Sequence, residues 1–178
     1  MGLKVAVCGL WSETRNLIPW DDPTWEKWGM TWDRDVLRMD RAFEMHATVK
    51  WKEYAPADYI ERLNMMPRLY LQEQHPEVPR GVVFPFEGVG AITGDDWASS
   101  IGYMLALAIY EGAEEILIAG VAMEAHDEYA YQRPNTTYLI GLARGRGIKV
   151  HIPEQCSLLK YRGELGYTGR YGRVEEKK

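Results

Sequence analysis

The chain has 178 residues, of which 46% are hydrophobic and 26% charged, and this length fits one domain that buries a core without disulfides or a structural metal. Its 26 acidic residues outnumber the 21 basic ones, so the net charge of −5 does not indicate nucleic acid as a partner, although it leaves that partner possible. No apolar run approaches the roughly 18 residues that cross a bilayer, and no charged-then-apolar leader follows Met1, so we expect a cytoplasmic protein without a membrane partner.

The first predicted element is a buried strand over residues 4–9, an apolar run that ends in glycine. In the loop that follows, Gly9 lets the backbone turn, and Ser12 would either cap the next helix or hydrogen-bond a phosphate. The loop lacks both the GxGxxG dinucleotide fingerprint and the GxxxxGK[ST] phosphate loop. Gly9, Trp11 and Ser12 are therefore candidate ligand-binding residues whose alternative role is a plain turn.

Two acidic positions in the next segment have a functional and a structural interpretation. Asp21 and Asp22 would hold Mg²⁺ together with a phosphate, or would form a turn before Pro23. A short strand is predicted at 28–30 and another over 39–46, whose end presents Glu44 and His46. These two residues form either a satisfied polar pair at a strand end or a general base, His46, oriented by its neighbour Glu44.

The tryptophans are concentrated in the first third of the chain. This third holds six of the seven tryptophans. The whole chain also has eleven tyrosines and three phenylalanines. Tryptophan and tyrosine suit half-wet pockets and interfaces, so exposed copies would favour a homodimer. Most of the tryptophans are expected in the core or an interface, with Trp11 or Trp20 as a candidate to lie over a nucleobase.

The rest of the chain alternates between helical and strand patterns. Helices are predicted over 56–63, 101–110 and 134–146, and strands over 68–71, 81–86, 115–121 and 148–153. Ser99 or Ser100 is placed to cap the second of these helices and Gly112 to end it. This alternation predicts an α/β fold, a Rossmann-like three-layer sandwich with a mostly parallel sheet. Residues 1–160 would form the single domain and 161–178 a loosely ordered C-terminal extension.

The strongest functional signal lies in residues 124–135, directly after a predicted buried strand. In parallel sheets, ligands bind beyond the carboxyl ends of the strands, where loops and helix N-termini converge. The segment has more polar chemistry than a connecting loop needs, although a solvated charged loop is the alternative. The helix N-terminus at Ser99 and Ser100 is a second anion-binding candidate. The candidate residues of the segment are Glu124, Glu128, Tyr131, Gln132, Arg133 and Asn135.

Within that segment the side chains suggest different tasks. Arg133 would clamp a phosphate or carboxylate, and Gln132 and Asn135 would read a sugar or base edge. Glu128 or Glu124 would act as a general base or hold a ribose hydroxyl. The four histidines and two cysteines show no metal spacing, so we predict no protein metal site; Mg²⁺ would enter only with a nucleotide.

The sequence resembles small phage-encoded Rossmann-like proteins, on the segments 5–9, 19–26, 43–46 and the block from 99 through 135 to 153. More distantly, the Gly9 to Ser12 turn and the Ser-capped helix leading to residues 115–121 look like MptE-like pterin diphosphokinases and small bacterial sialyltransferases. Such families place an aspartate shortly after the late strand, where this chain has Ala122 and Met123; Glu124 is the acid available to substitute. The resemblance implies a nucleotide or nucleotide-sugar ligand, and the host cytoplasm if the chain is phage-encoded.

These observations favour a transferase that uses a nucleotide-activated donor at the C-terminal edge of the sheet. Gly9, Ser12 and Ser100 would lie near the phosphates, and His46 or Glu128 would be the catalytic base. Two alternatives stay open. The same pocket would hydrolyse a nucleotide or an N-glycosidic bond if water replaced the acceptor, or the chain would capture a nucleotide without turning it over.

Overall fold

The structure, a computed structural model, describes residues 2–123, 129–156 and 158–159. These residues form seven strands: β1 (Lys4–Cys8), β2 (Glu26–Met30), β3 (Arg41–Glu44), β4 (Leu69–Leu71), β5 (Val82–Val83), β6 (Glu115–Ala119) and β7 (Lys149–His151). They also form six α-helices: α1 (Ser12–Arg15), α2 (Thr48–Tyr54), α3 (Tyr59–Asn64), α4 (Phe86–Thr93), α5 (Ser100–Tyr110) and α6 (Tyr129–Gly145). A 3₁₀ turn covers Val36–Arg38.

All seven strands belong to one sheet in the order β5-β4-β3-β2-β1-β6-β7. Each pair of neighbouring strands among the described residues is parallel. The chain adds strands outward on one side of β1 as far as β5, and then returns to add β6 on the other side. The strand order therefore reverses between β1 and β6.

Helices cover both faces of this sheet because the side chains of its strands alternate between two cores. In β1, Val5 and Val7 join one core together with buried residues of α5 and α6, such as Leu105 and Leu139. Ala6 and Cys8 join the other core. That second core contains residues of α2 and α3, namely Trp51, Tyr59 and Leu63. The prediction of a Rossmann-like three-layer α/β sandwich is confirmed.

Helix α5 has the ends that its sequence predicts. The hydroxyl of Ser99 accepts a hydrogen bond from the Gly102 amide at 3.1 Å, which caps the helix, and Ser100 is the first helical residue. At the other end Gly112 has a φ of +72°, the left-handed conformation that glycine adopts at little cost. The helix is buried over most of its length, so its N-terminus is held rigidly against the sheet.

Three elements differ from their predictions. The strand expected over 81–86 is limited to Val82–Val83, and Phe86 begins α4 instead. Helix α6 begins at Tyr129 rather than near Pro134, since a proline early in a helix removes one backbone hydrogen bond without ending it. Helix α2 was not expected, because its β-branched and aromatic residues have low helix propensity. Its Trp51 is buried, so tertiary packing stabilises it.

Other expectations have a narrower outcome. No described helix is long and apolar enough to cross a membrane. Residues 161–178 lie outside the described residues, so the C-terminal extension and the single-domain boundary at 160 stay predictions. The exposed aromatic side chains include Trp32, Tyr131 and Tyr138. The homodimer that such residues would favour also stays a prediction.

The loops after β1 and β6 cross in direct backbone contact. The Gly9 amide donates to the carbonyl of Ala119 at 2.8 Å, and the Trp11 amide donates to the carbonyl of Gly120 at 2.7 Å. A Cβ atom at Gly9 would overlap the carbonyl oxygen of Gly120. Glycine is therefore required at position 9 by the close approach of another backbone.

We expect Gly9→Ala to lower the free energy of unfolding by about 3 kcal/mol, because a backbone atom cannot move aside as a flexible side chain does. The matched control is Gly141→Ala in α6, where an added Cβ meets no atom within 4 Å. This control should be neutral or raise the free energy of unfolding by up to about 1 kcal/mol, since alanine has the higher helix propensity. Urea unfolding followed by tryptophan fluorescence measures both. Equal stabilities for the two variants would contradict the assigned crossing of the loops.

Candidate functional site

A cleft of about 800 Å³ opens at the carboxyl ends of the central strands. Its walls come from the last residue of β2, from the segments that follow β1, β3, β4 and β6, from the start of α5 and the residues just before it, and from Gln132 of α6. The cleft therefore spans the point where the strand order reverses, the position at which open α/β sheets bind their ligands. Six predicted site residues line it: Gly9, Trp11, His46, Ser99, Ser100 and Gln132.

A second pocket of about 630 Å³ adjoins this cleft, and the two share Trp97 and Ala98 as lining residues. Two other predicted residues, Tyr131 and Asn135, line this second pocket. The amide of Asn135 donates to the carbonyl of Asp96, and its side-chain oxygen accepts from the Ala98 amide at 3.4 Å. Asn135 thus holds the segment that leads into the capped N-terminus of α5.

The remaining predicted residues lie elsewhere. Ser12 is exposed at the first position of α1; the N-cap of that helix is Trp11, which makes no side-chain capping bond. Arg133 is half-buried on α6, and its Nε donates to the carbonyl of Leu158 at 3.0 Å. Neither side chain lines the cleft or the second pocket. Glu124 and Glu128 lie outside the described residues.

Glu44 and His46 form the polar pair that the sequence suggests. Glu44 ends β3 and is completely buried, whereas the side chain of His46 is 57% exposed in the cleft. Oε1 of Glu44 lies 2.6 Å from His46 Nδ1 and also accepts from the His46 amide at 2.9 Å. When Nδ1 carries the proton, it donates a hydrogen bond to Glu44. Nε2 then carries the lone pair that a general base needs.

The other carboxylate oxygen of Glu44 is also bonded. Oε2 accepts hydrogen bonds from the hydroxyls of Thr31, at 2.6 Å, and of Tyr59. Burial by itself would raise the pKa of Glu44, but the hydrogen bonds from His46, Thr31 and Tyr59 together hold that pKa below its usual value. Glu44 is therefore an anion at neutral pH, although water does not reach it.

A second buried charge network supports the loop after β1. Arg15 in α1 donates to both carboxylate oxygens of Asp33, with the Nη1 bond at 2.8 Å. The same guanidinium donates to the carbonyl of Gly9 at 2.6 Å and to Asp35 at 2.7 Å. Since Asp33 is fully buried, its charge is neutralised by a bidentate partner. Arg15 thereby ties the Gly9 turn to the segment after β2.

Sequence reasoning missed several residues of the cleft. Gln72 follows β4 directly, so the rule that ligands bind at strand ends would have found it; its amide donates to the carbonyl of Met45. Trp97 and Tyr103 line the cleft as well, with ring centroids 5.2 Å apart. Both belong to an aromatic cluster with Phe84 and Phe86. Such a cluster is assembled by tertiary packing and leaves no pattern along the chain.

Two further candidate residues make contacts with neighbouring side chains. Asp22 Oδ1 accepts from the amide and the hydroxyl of Thr24, the turn that was the alternative to Mg²⁺ binding. Trp20 is covered by the guanidinium of Arg38, 4.4 Å from its ring centroid, and it does not line the cleft. Within the described part of the chain, no three His, Cys, Asp or Glu side chains are grouped to hold a metal ion.

The cysteines do not supply a nucleophile to this cleft. Cys8 is buried in β1, and burial raises the pKa of its thiol to about 12. Cys156 is buried as well, and its thiol donates to the carbonyl of Val121 at 2.9 Å. The thiolate is the reactive form of cysteine, and a thiol with so high a pKa stays protonated at neutral pH. Cys8 is therefore a packing residue.

We expect Arg15→Met to lower the free energy of unfolding by about 3 to 5 kcal/mol, because it leaves the buried Asp33 carboxylate without its partner. Arg34→Met is the matched control. Arg34 also approaches Asp35, at 3.6 Å, but its side chain is 84% exposed, so its loss should change the free energy by less than about 0.5 kcal/mol. Urea unfolding of both variants checks the difference. A similar loss in the two would mean that Asp33 does not depend on Arg15.

The sequence matches no protein-family model and no curated protein. Among solved structures, the fold of this chain resembles that of the sialyltransferase CstII from Campylobacter jejuni in complex with the substrate analogue CMP-3FNeuAc. The TM-score is 0.55 and the sequence identity 12%, and the match covers 85% of this chain and 81% of that chain. The complex of CstII with cytidine-5'-monophosphate gives a TM-score of 0.52 and 14% identity over 85% and 79% of the two chains. The complex of CST-II with a trisaccharide acceptor and CMP gives 0.53 and 10% over 84% and 80%. At these identities the shared feature is the Rossmann-like fold.

Proposed function

We propose that the chain is a transferase that moves a sugar from a nucleotide-activated donor to an acceptor hydroxyl, with the reaction centred in the cleft described above. The observation that carries this proposal is the His46 ring, which is exposed in the cleft. Its Nδ1 is hydrogen-bonded to the buried, ionised Glu44. The cleft also holds the capped N-terminus of α5. A base and an anion-binding helix end in one cleft at the switch point are the parts that such a transfer needs.

The donor phosphate is placed at the first turn of α5. The leading amides of a helix have no partners within that helix, and its dipole favours negative charge at this end. Ser99 and Ser100 line the cleft at the same place, and Gly9 faces it from the loop after β1. The structural neighbours bind CMP or a CMP-sugar analogue, so a CMP-linked sugar is the first donor to test.

In the proposed reaction, His46 Nε2 removes the proton of the acceptor hydroxyl as its oxygen bonds to the anomeric carbon of the donor sugar. The bond between that carbon and the phosphate oxygen breaks, and the nucleotide leaves with the electron pair. The imidazolium that results lies against the Glu44 carboxylate, which stabilises it. Glu128 is the alternative base, since it lies in the segment where the sequence signal is strongest.

The sugar and the acceptor are assigned to α6 and its approach. Gln132 lines the cleft, and Tyr131 and Asn135 line the adjoining pocket. Arg133 and Glu124 belong to the same segment and are proposed to contribute to ligand binding there. If the donor carries a diphosphate, Mg²⁺ would be bound through its phosphates, so donors are tested with and without this ion.

The proposed function is tested by incubating the purified chain with CMP-, UDP- and GDP-sugars in the presence and absence of a mixture of saccharide acceptors. Donor binding is read as a rise in the thermal midpoint; a ligand at about a hundred times its Kd stabilises the fold by roughly 2.7 kcal/mol. Nucleotide release that requires an acceptor would support transfer. Release at the same rate without acceptor would identify a hydrolase, and binding without release would identify a capture protein.

We expect His46→Gln to keep the donor-induced rise in thermal midpoint but to reduce kcat for nucleotide release by about 10²- to 10⁴-fold, since it removes the proposed base. His75→Gln is the control. That histidine lies after β4 against Trp51, in a separate pocket of about 200 Å³. Its removal should leave kcat within about twofold of the wild-type value. Turnover that survives in His46→Gln would move the role of base to another residue, with Glu128→Gln as the next variant.

A further inference from the structure

We propose that Tyr59 and Thr31 are positioning residues that fix the carboxylate of Glu44 and, through it, the orientation and tautomer of the His46 ring. This inference rests on the proposed function, in which His46 is the general base. Neither residue lines the cleft, so neither is expected to contact a substrate. Their proposed action is on the residue beneath the base.

The hydrogen bonds divide the Glu44 carboxylate into two halves. Oε1 faces the cleft and accepts both bonds from His46, from the amide at 2.9 Å and from Nδ1 at 2.6 Å. Oε2 faces the interior and accepts from the hydroxyls of Thr31 and Tyr59. A carboxylate held at both oxygens cannot rotate about its terminal bond without breaking a bond at each end. The interior pair therefore sets the direction in which Oε1 points at His46.

The interior donors are themselves fixed by packing. Thr31 is fully buried and Tyr59 is 2% exposed, and their hydroxyl oxygens lie 2.8 Å apart. The Tyr59 ring stacks on Trp32 with centroids 4.7 Å apart and meets the edge of Trp51 at 6.2 Å. With aromatic neighbours on two sides, the phenol has little freedom to leave the carboxylate.

Charge decides which way these bonds run. Burial, followed by the charge of Glu44, raises the pKa of Tyr59 far above its usual value, so the phenol stays protonated and donates. Glu44, in contrast, is held in its ionised form. The geometry thus gives a fixed anion with two permanent donors behind it and a single titratable ring, His46, in front of it.

This arrangement has a consequence for the base. A neutral histidine carries its proton on either nitrogen, and the bond made by one nitrogen selects the tautomer. A rigid acceptor at Nδ1 selects the tautomer in which Nε2 has the lone pair. If the Glu44 carboxylate turned, Nδ1 would lose its fixed acceptor, and the fraction of molecules with a competent Nε2 would fall.

The test compares Tyr59→Phe with Tyr70→Phe. Both tyrosines are 2% exposed, and each substitution removes one buried hydroxyl; that of Tyr70 accepts from Arg41 at 3.3 Å and does not touch Glu44. The first readout is the ¹⁵N chemical shifts of the His46 ring in protein labelled at histidine, with His46→Gln to assign the signals. The second is kcat and KM for the donor that the proposed function identifies.

We expect Tyr59→Phe to shift the His46 ring nitrogens away from the tautomer protonated at Nδ1 and to lower kcat about tenfold with KM changed less than twofold. Tyr70→Phe should leave both readouts at the wild-type values. Thr31→Val should act like Tyr59→Phe, and Thr31→Ser, which keeps the hydroxyl, should restore the wild-type pattern. The threonine pair also provides the answer if Tyr59→Phe does not fold.

Unchanged ¹⁵N shifts in both Tyr59→Phe and Thr31→Val would overturn the positioning role. The nitrogen shifts need no substrate, so they separate this inference from the proposed function. Shifted tautomers in a protein that turns over no nucleotide sugar would support the positioning and refute the transfer reaction. Turnover that depends on His46 but is the same in Tyr59→Phe and wild type would support the transfer reaction and refute the positioning role.

Discussion

The architecture of the candidate site depends on one backbone contact, the crossing of Gly9 and Gly120. These glycines follow the two strands at which the order of the sheet reverses, β1 and β6. Their loops are joined by the hydrogen bonds from Gly9 and Trp11 and by the Thr14 hydroxyl, which accepts from the Gly120 amide at 2.9 Å. Beyond this crossing, α1 follows the first loop, and residues 121–123, which follow Gly120, line the cleft. The floor of the cleft is therefore backbone, and its chemistry comes from the neighbouring strand ends.

Much of the fold follows from local pattern. The buried β1 and β6, the capped α5 and the alternation of helices with strands are each encoded within a dozen residues, and the sheet assembles from them as expected. The short edge strand β5 was predicted too long, and helix α2 was not predicted. Their residues have weak or contrary propensities and acquire their structure from what they pack against. Part of the site also follows from local pattern. Gly9, His46 and Ser99 could be identified from the sequence because each lies shortly after a strand or just before a helix.

Residues that support the site from a distance in sequence could not be predicted in this way. Arg15 and Asp33 are 18 residues apart, and Glu44 and Tyr59 are 15 apart, with different elements between them. Nothing in the order of residues says that these side chains meet, since pairing is decided when α1 and α3 pack near the carboxyl ends of the strands. The contact of Arg133 is equally hidden in the sequence. Its segment is rich in polar residues and suggests a ligand clamp, which stays a prediction; the bond from its Nε to the carbonyl of Leu158 is not indicated by any pattern along the chain.

The contrast between the two buried acids bears on what each is for. Asp33 has a fixed cation, Arg15, whose charge does not change at physiological pH, and this arrangement serves to hold a loop. Glu44 instead accepts its bonds from two neutral hydroxyls, an amide and an imidazole. When the imidazole takes up a proton, the two side chains become an ion pair. In the proposed reaction, His46 reaches this state when it removes a proton from the acceptor hydroxyl, and the adjacent Glu44 carboxylate stabilises the imidazolium that results.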